Sequence, residues 1–267
     1  MFASLLITFR ETLEVALVIG IIVTYLSRTE RRRDAPLVYW GVLSGVAASM
    51  LTAFLLSWLA GGFSGRAEQL FEGATMLFAA ALLTTLILWM LHQQGLAQLK
   101  RKVHCRLSTG ARRGLFLLVF VSVLREGVEV VLFLGAAHLA GEQTIIGAVL
   151  GILFGAGIAV AVSRLGKRVP IKKFFIVTSI LLILFAAGLV AQGVHELQEA
   201  GALPVVIEHV WDINPPATHS ALHEKGVVGS LAKSLFGYNG DPSLLEVLAY
   251  LSYLAVATIF AYRLTRK

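Results

Sequence analysis

Residues 10–15 read Arg-Glu-Thr-Leu-Glu-Val, and residues 125–130 read Arg-Glu-Gly-Val-Glu-Val. Each stretch interrupts a long apolar run. The arginine, both glutamates and the valine recur in register, which predicts two copies of one helical unit. Charges in the middle of an apolar helix are costly, and in membrane proteins they mark functional sites by default.

The composition of the whole chain is that of a membrane protein. Of its 267 residues, 57% are hydrophobic and 15% are charged, and the mean hydropathy is +0.79. Soluble proteins have about 25% charged residues. Seven segments can each cross about 30 Å of bilayer as a helix. They are roughly Leu5 to Leu26, Leu37 to Ala60, Leu70 to Leu91, Leu115 to Leu139, Ile145 to Val162, Phe174 to Val194 and Leu244 to Tyr262. We expect the first to be retained rather than cleaved as a signal peptide, because it contains the charges of the first motif.

The basic residues predict the orientation of the chain. Between the segments, 18 Lys and Arg fall on one side and only three, Arg66, Lys225 and Lys233, fall on the other. The positive-inside rule then places the N-terminus outside and the C-terminus in the cytoplasm of a multi-pass membrane protein. The same clustering explains the net charge of +7 without a nucleic-acid partner. The single Cys105 leaves carboxylates and imidazoles as candidate metal ligands.

The repeat extends beyond the motifs. Gly41 and Gly45 correspond to Gly147 and Gly151, and this small-xxx-small spacing allows close helix contacts. Three helices per copy is an odd number, so the second copy must enter the membrane from the opposite side. The predicted fold is all-α, with one transmembrane domain over 1–267. It comprises repeat one over 1–91, repeat two over 114–199, an outer loop over 200–243 and a seventh helix over 244–262.

The spacing of the motif residues predicts which charged groups meet and what ion they could bind. Glu11 and Glu14 share one face of a helix, and Arg10 can pair with Glu14 along it. Arg125, Glu126 and Glu129 repeat this arrangement. Both motifs lie near mid-span, so an inverted repeat would bring four carboxylates and two guanidiniums together near the bilayer centre. If all six are ionised, the site carries a charge of −2, which suits an oxygen-liganded cation.

An alternative is that the charges only lock two helices together. Each mid-helix charge costs about 2.5 to 3.5 kcal/mol on insertion scales. Small residues already allow close packing without that cost. We therefore favour a cation relay over a structural lock.

These motifs resemble those of the oxidase-dependent iron permease family, which comprises fungal high-affinity and bacterial iron permeases. The resemblance covers essentially the whole chain, with Thr12-Leu13 and Gly127-Val128 where Gly-Leu is the commoner filling. It implies a non-enzymatic permease that moves iron inward across the bacterial cytoplasmic membrane. It further implies Glu11, Glu14, Glu126 and Glu129 as the transport site. Iron is then the substrate rather than a prosthetic group, and extracytoplasmic oxidase or iron-delivery proteins are candidate partners.

Other polar residues suggest accessory sites. An outer vestibule is predicted from residues near the outer ends of helices 3 and 6: Glu68, Glu72, His195, Glu196 and Glu199. His219 and His223 have the spacing of a helical chelating pair, but lack an evident further ligand.

Three other functions stay open at this stage. The chain could transport another divalent metal such as lead or manganese, serve as an assembly protein, or form an intramembrane carboxylate metalloenzyme. The Glu-x-x-His ligands of helical di-iron enzymes are absent from both motifs. An intramembrane protease would need a neighbouring histidine or nucleophile, which neither motif offers.

Overall fold

The computed structural model describes residues 1–28, 32–92, 112–165, 171–212 and 227–265. These ranges contain eight α-helices and no β-strand. The helices are α1 Phe2–Arg28, α2 Ala35–Ala60, α3 Arg66–His92, α4 Arg112–Leu139, α5 Thr144–Leu165, α6 Ile171–Glu199, α7 Val227–Phe236 and α8 Leu244–Thr265. A short 3₁₀ turn, Arg32–Asp34, precedes α2, and Pro36 lies in the first turn of α2, where its missing N–H is not needed.

Five of the helices in the described ranges are long and apolar enough to cross a membrane: α2, α3, α5, α6 and α8. The motif charges break the apolar runs of α1 and α4, although these helices have 27 and 28 residues. Large apolar side chains also cover the outside of the bundle, including Trp40, Phe54, Trp58 and Leu153. An exposed apolar surface of this extent fits lipid. The chain is a multi-pass integral membrane protein whose described residues contain helices and no strand.

Two helix pairs run in parallel and meet through small residues. α1 packs on α5, where Gly147, Gly151 and Gly155 face residues 1–12 of the chain. α2 packs on α4, where a Cβ at Gly41 or Gly45 would lie within 2.9 Å of Val119 or Val123. The glycines singled out in the sequence thus lie where helices approach closely.

α1 and α4 run antiparallel, with the motifs between two apolar clusters. In one cluster Ala3 and Ile7 of α1 are buried with Phe133 of α4. In the other, Ile22 of α1 is buried with Val119 of α4. α3 and α6 are also antiparallel, and the backbones of Gly73 and Gly193 face each other there. Along α1 and α4, the charged motifs therefore lie between one apolar cluster on each side.

The segment predicted as an outer loop, 200–243, contains α7. Its apolar residues Val227, Leu231 and Leu235 recur every fourth position, and its prolines lie outside the helix. After α7, Gly237 adopts a positive φ of 65° and contacts Gly188 of α6. Gly188 lies about 16 Å from the end of α6 at the helical rise per residue. This part of the segment therefore packs along the bundle, whereas His219 and His223 lie outside the described residues.

Candidate metal site

The first motif is buried in α1. The Arg10 side chain is fully buried, and Glu11 is 2% exposed. Arg10 Nη1 lies 3.5 Å from Glu11 Oε1, and Arg10 Nε lies 3.2 Å from Glu14 Oε1. One guanidinium therefore serves both carboxylates of its own motif, as the i,i+4 spacing predicts for Glu14.

The second motif repeats the pairing in a more open setting. Arg125 Nε donates a hydrogen bond of 2.9 Å to Glu129 Oε1 and lies 3.8 Å from Glu126 Oε1. The Arg125 side chain is 48% exposed, against 0% for Arg10. The two motifs therefore match in sequence and pairing but differ in burial.

Carboxylates of the two motifs converge between α1 and α4. One oxygen each from Glu11, Glu126 and Glu129 lies within 4.8 Å of the others. Glu14 stands beside this group and interacts electrostatically with Glu129 and Arg125. The structure thus brings together three of the four predicted glutamates and places the fourth next to them.

Several oxygens in this group accept no hydrogen bond from the described residues. They are Oε1 of Glu11 and Glu14, which face Arg10 as ion pairs without hydrogen-bond geometry, and Oε2 of Glu11, Glu126 and Glu129; all are buried. Buried carboxylate oxygens are costly unless protons or cations satisfy them. A hard or borderline cation prefers such oxygen ligands. The arrangement can therefore bind one metal ion shared by two helices.

A cavity of about 240 Å³ reaches the second motif. It lies between α3 and α4, and its lining is Leu82, Thr85, Leu86, Arg125, Glu129 and Phe133. This mostly apolar wall with one charged pair leads to Glu129, one of the three converging carboxylates.

The predicted vestibule residues Glu68, Glu72, His195, Glu196 and Glu199, here called the rim cluster, gather where α3 begins and α6 ends. Glu72 interacts electrostatically with Glu68 and Glu196. Gln69 Nε2 donates a 2.9 Å hydrogen bond to Glu199 Oε2, which ties α3 to α6. Residues from both helices therefore share one acidic surface.

The sequence matches the description "Iron permease FTR1 family" over residues 1–265. The chain belongs to the iron permease FTR1 family. This finding confirms the family resemblance predicted from the paired Arg-Glu-x-x-Glu motifs. Membership of a permease family also agrees with the prediction that the chain is a transporter.

Individual relatives of this FTR1-family chain match along nearly their full length. Ferrous iron permease EfeU of Escherichia coli O6:H1 is 34% identical over 269 residues, covering 97% of this chain and 94% of the relative. Ferrous iron permease EfeU of Yersinia pestis is 32% identical over 268 residues, covering 98% and 93%. An uncharacterized protein of Archaeoglobus fulgidus is 32% identical over 260 residues, covering 96% and 92%. No solved structure matches the chain.

In this FTR1-family chain, Glu246 has a structural role that the sequence patterns above did not predict. Its carboxylate is 2% exposed and accepts hydrogen bonds from Asn239 Nδ2 at 2.8 Å and Ser243 N at 3.2 Å. Ser243 Oγ in turn accepts from Glu246 N at 3.3 Å, which completes a capping box at the start of α8. The Ser-x-x-Glu pattern before an apolar run could have revealed the cap. Only the fold reveals that His195 also lies 3.0 Å from Glu246.

Proposed function

We propose that this chain is an iron permease that moves iron ions inward across the bacterial cytoplasmic membrane. The convergence of Glu11, Glu126 and Glu129 from two helices is the observation that carries this proposal. The relatives named ferrous iron permease support Fe²⁺ as the transported ion. Iron is the substrate, and the transport step needs no prosthetic group.

The transport site in this proposal comprises all four motif glutamates. Glu11, Glu126 and Glu129 bind the ion together, and Glu14, which interacts electrostatically with Glu129, replaces one of them as the ion moves. Arg10 and Arg125 orient the carboxylates and offset part of their charge. A site with a net charge of −2 attracts a divalent cation and is neutral when it binds one.

The proposed topology has seven spans, α1 to α6 and α8, with the N-terminus outside. Helix contacts support the inverted repeat because equivalent residues meet in the same register. Three contacts between α2 and α4 have counterparts between α5 and α1. The pairs are Gly41–Val119 and Gly147–Ser4, Gly45–Val123 and Gly151–Thr8, and Ser49–Gly127 and Gly155–Thr12.

The rim cluster forms the outer vestibule in this topology. Its carboxylates raise the local concentration of cations before they reach the motif glutamates, an effect that salt weakens. Extracytoplasmic iron-delivery or oxidase proteins are the partners that would supply ions to this surface.

Uptake by the purified protein in vesicles tests the proposal. Fe²⁺ should accumulate in proteoliposomes, and Glu126→Gln should abolish most of the uptake because one wall of the shared site loses its charge. Glu208→Gln removes an exposed carboxylate outside the motifs and rim cluster, so it should transport like the unmodified protein. Normal uptake by a stably inserted Glu126→Gln variant would reject the site. Preference for Mn²⁺ or Pb²⁺ over Fe²⁺ would assign a different substrate.

A further inference from the structure

His195 lies between two carboxylates that come from different parts of the chain. Its Nδ1 is 3.0 Å from Glu246 Oε1, at the start of α8. Its Nε2 is 3.3 Å from Glu199 Oε1, one turn further along α6. Its side chain is 36% exposed, so ions outside the bundle can reach the imidazole.

Glu246 fixes one side of this imidazole. The carboxylate is buried and held by Asn239 and by the capping box with Ser243. A carboxylate only accepts hydrogen bonds, so the proton of a neutral His195 lies on Nδ1. In this tautomer Nε2 is the nitrogen available to a metal ion, whereas in the doubly protonated imidazole it pairs with Glu199 Oε1. A carboxylate that orients a histidine in this way is the usual second partner of a metal-binding imidazole.

Gln69 fixes the orientation of the Glu199 carboxylate, on the Nε2 side of the imidazole. It donates a hydrogen bond to Glu199 Oε2, so Oε1 is the oxygen left to face His195. Two ligands about 2.1 Å from a metal, at angles of about 90° to 110°, are about 3.0 to 3.4 Å apart. The Nε2–Oε1 separation of 3.3 Å falls within this range.

We propose that His195 Nε2 and Glu199 Oε1 form a rim site that coordinates a divalent cation directly before transport. Glu246 and Gln69 are its positioning residues. Two protein ligands with water in the remaining positions bind weakly enough to release the ion inward. This inference rests on the proposed function, because the bound ion is the transported iron.

Uptake kinetics separate the rim site from the transport site. His195→Ala and Glu199→Gln should raise the Fe²⁺ concentration for half-maximal uptake by at least about 10-fold, because losing a ligand should cost no less than losing a group that orients it. The maximal rate should stay near that of the unmodified protein. Unchanged half-saturation in both variants would overturn the rim site while leaving the transport proposal intact. If Glu126→Gln lost uptake while both rim variants kept normal half-saturation, the rim site would be rejected and the transport site would stand.

A change of ligand tests coordination independently of charge. In a Cys105→Ser background, His195→Cys should make Fe²⁺ uptake sensitive to low concentrations of Cd²⁺, because thiolates favour soft metals. His138→Cys is the matched control. His138 is exposed at the end of α4 but belongs neither to the rim cluster nor to the group of motif glutamates. Equal Cd²⁺ sensitivity in the two variants would overturn direct coordination and leave His195 as an ion-pair partner only.

Two further variants isolate the positioning role of Glu246. Ser243→Ala and Glu246→Ala both break the cap of α8, so both should lower thermal stability. Only Glu246→Ala removes the support of His195, so only this variant should raise the half-saturation concentration. A parallel rise in Ser243→Ala would show that the cap, rather than the imidazole contact, accounts for the effect.

Discussion

At the residue scale, Arg10 and Arg125 hold equivalent positions in the two motifs but lie in different environments. Arg10 is fully buried and contacts Glu11 and Glu14, whereas about half of Arg125 is exposed beside a cavity. A buried charge that loses its partner costs far more than an exposed one. The two arginines should therefore differ in their importance for folding.

Substitution of each arginine tests this difference. Arg10→Ala leaves two buried carboxylates without their counter-charge and should destabilise the protein by about 3 to 5 kcal/mol. Arg125→Ala should cost clearly less, because about half of its side chain lies outside the packed helices, so its loss leaves less buried charge unpaired. Thermal unfolding in detergent measures both values. Equal losses of stability would contradict the assigned burial.

The conservative change isolates geometry from charge. Arg10→Lys keeps the positive charge but cannot contact Glu11 and Glu14 through a planar guanidinium. We expect this variant to bind Fe²⁺ yet transport it poorly. Binding is measured on the purified protein and transport in proteoliposomes. Normal transport by Arg10→Lys would show that charge alone suffices.

At the element scale, the parallel contact of α1 with α5 depends on glycine at selected positions. A Cβ at Gly151 would meet the backbone of α1, including Phe9 N at 2.8 Å. Gly157 lies in the same helix, and a Cβ there would have no neighbouring atom within 4 Å. The same substitution should therefore have opposite effects at the two positions.

Gly151→Ala should separate α1 from α5 and destabilise the protein by about 1 to 3 kcal/mol, the usual cost of overpacking. Gly157→Ala should be neutral or stabilising by up to about 1 kcal/mol, because alanine favours helix formation. Thermal unfolding of the two variants in one detergent gives the comparison. A stable Gly151→Ala protein would indicate that α1 and α5 do not touch there.

A second element-scale feature is the link between residues 207–211 and 239–244. Leu244 N donates to Ile207 O at 3.1 Å, and Val210 N donates to Pro242 O at 3.0 Å. The exposed pair His209 and Asp241, with Nδ1 and Oδ1 2.7 Å apart, closes the link. These contacts join the chain after α6 to the start of α8.

The link should respond to pH. The hydrogen bond to Asp241, together with the negative charges of Asp241, Glu208 and Asp212, raises the pKa of His209 above its usual value of 6.5. The pair therefore stabilises the link fully below pH 6.5, and this contribution is lost as the pH rises through the raised pKa. Hydrogen exchange of residues 207–212, corrected for intrinsic rates, should increase over that range. In Asp241→Asn the pH dependence should largely disappear, and its persistence would assign the effect to another group.

At the scale of the whole molecule, the proposed inverted repeat leaves α7 and α8 as a segment without a counterpart in repeat one. α7 contacts α6 and α1, and α8 contacts α6 and α3, where Tyr253 and Thr84 share a hydrogen bond. The cavity, by contrast, lies between α3 and α4. The added segment therefore packs on α1, α3 and α6. The cavity lies beside the second motif, where Arg125 is exposed, and not beside the first, where Arg10 is buried.

The proposed topology makes a prediction for the whole chain. A reporter fused after Lys267 should be active in the cytoplasm, and one inserted between α2 and α3 should be active outside. The reason is the excess of Lys and Arg on the side that contains the C-terminus. Reporter activity outside at Lys267 would remove the seven-span arrangement and the inverted repeat with it.

The sequence alone was sufficient for the membrane class, the family and the identity of the motif residues. Mid-helix charges stand out in an apolar chain because their insertion cost is large, so Glu11 and Glu126 are visible without a fold. Helical periodicity also predicts the pairing within each motif, since Arg10 and Glu14 are four residues apart. Such local relations depend only on helix geometry, which the sequence specifies directly.

The tertiary structure decided which of these groups meet and how deeply they are buried. The grouping of Glu11 with Glu126 and Glu129, the burial of Arg10, and the contact of His195 with Glu246 all join helices distant in sequence. Periodicity specifies the face of a helix but not its neighbour, its rotation or its depth in the bundle. Those are set by the close approach of small residues, as between α1 and α5, and by the packing of α7 and α8 against α6.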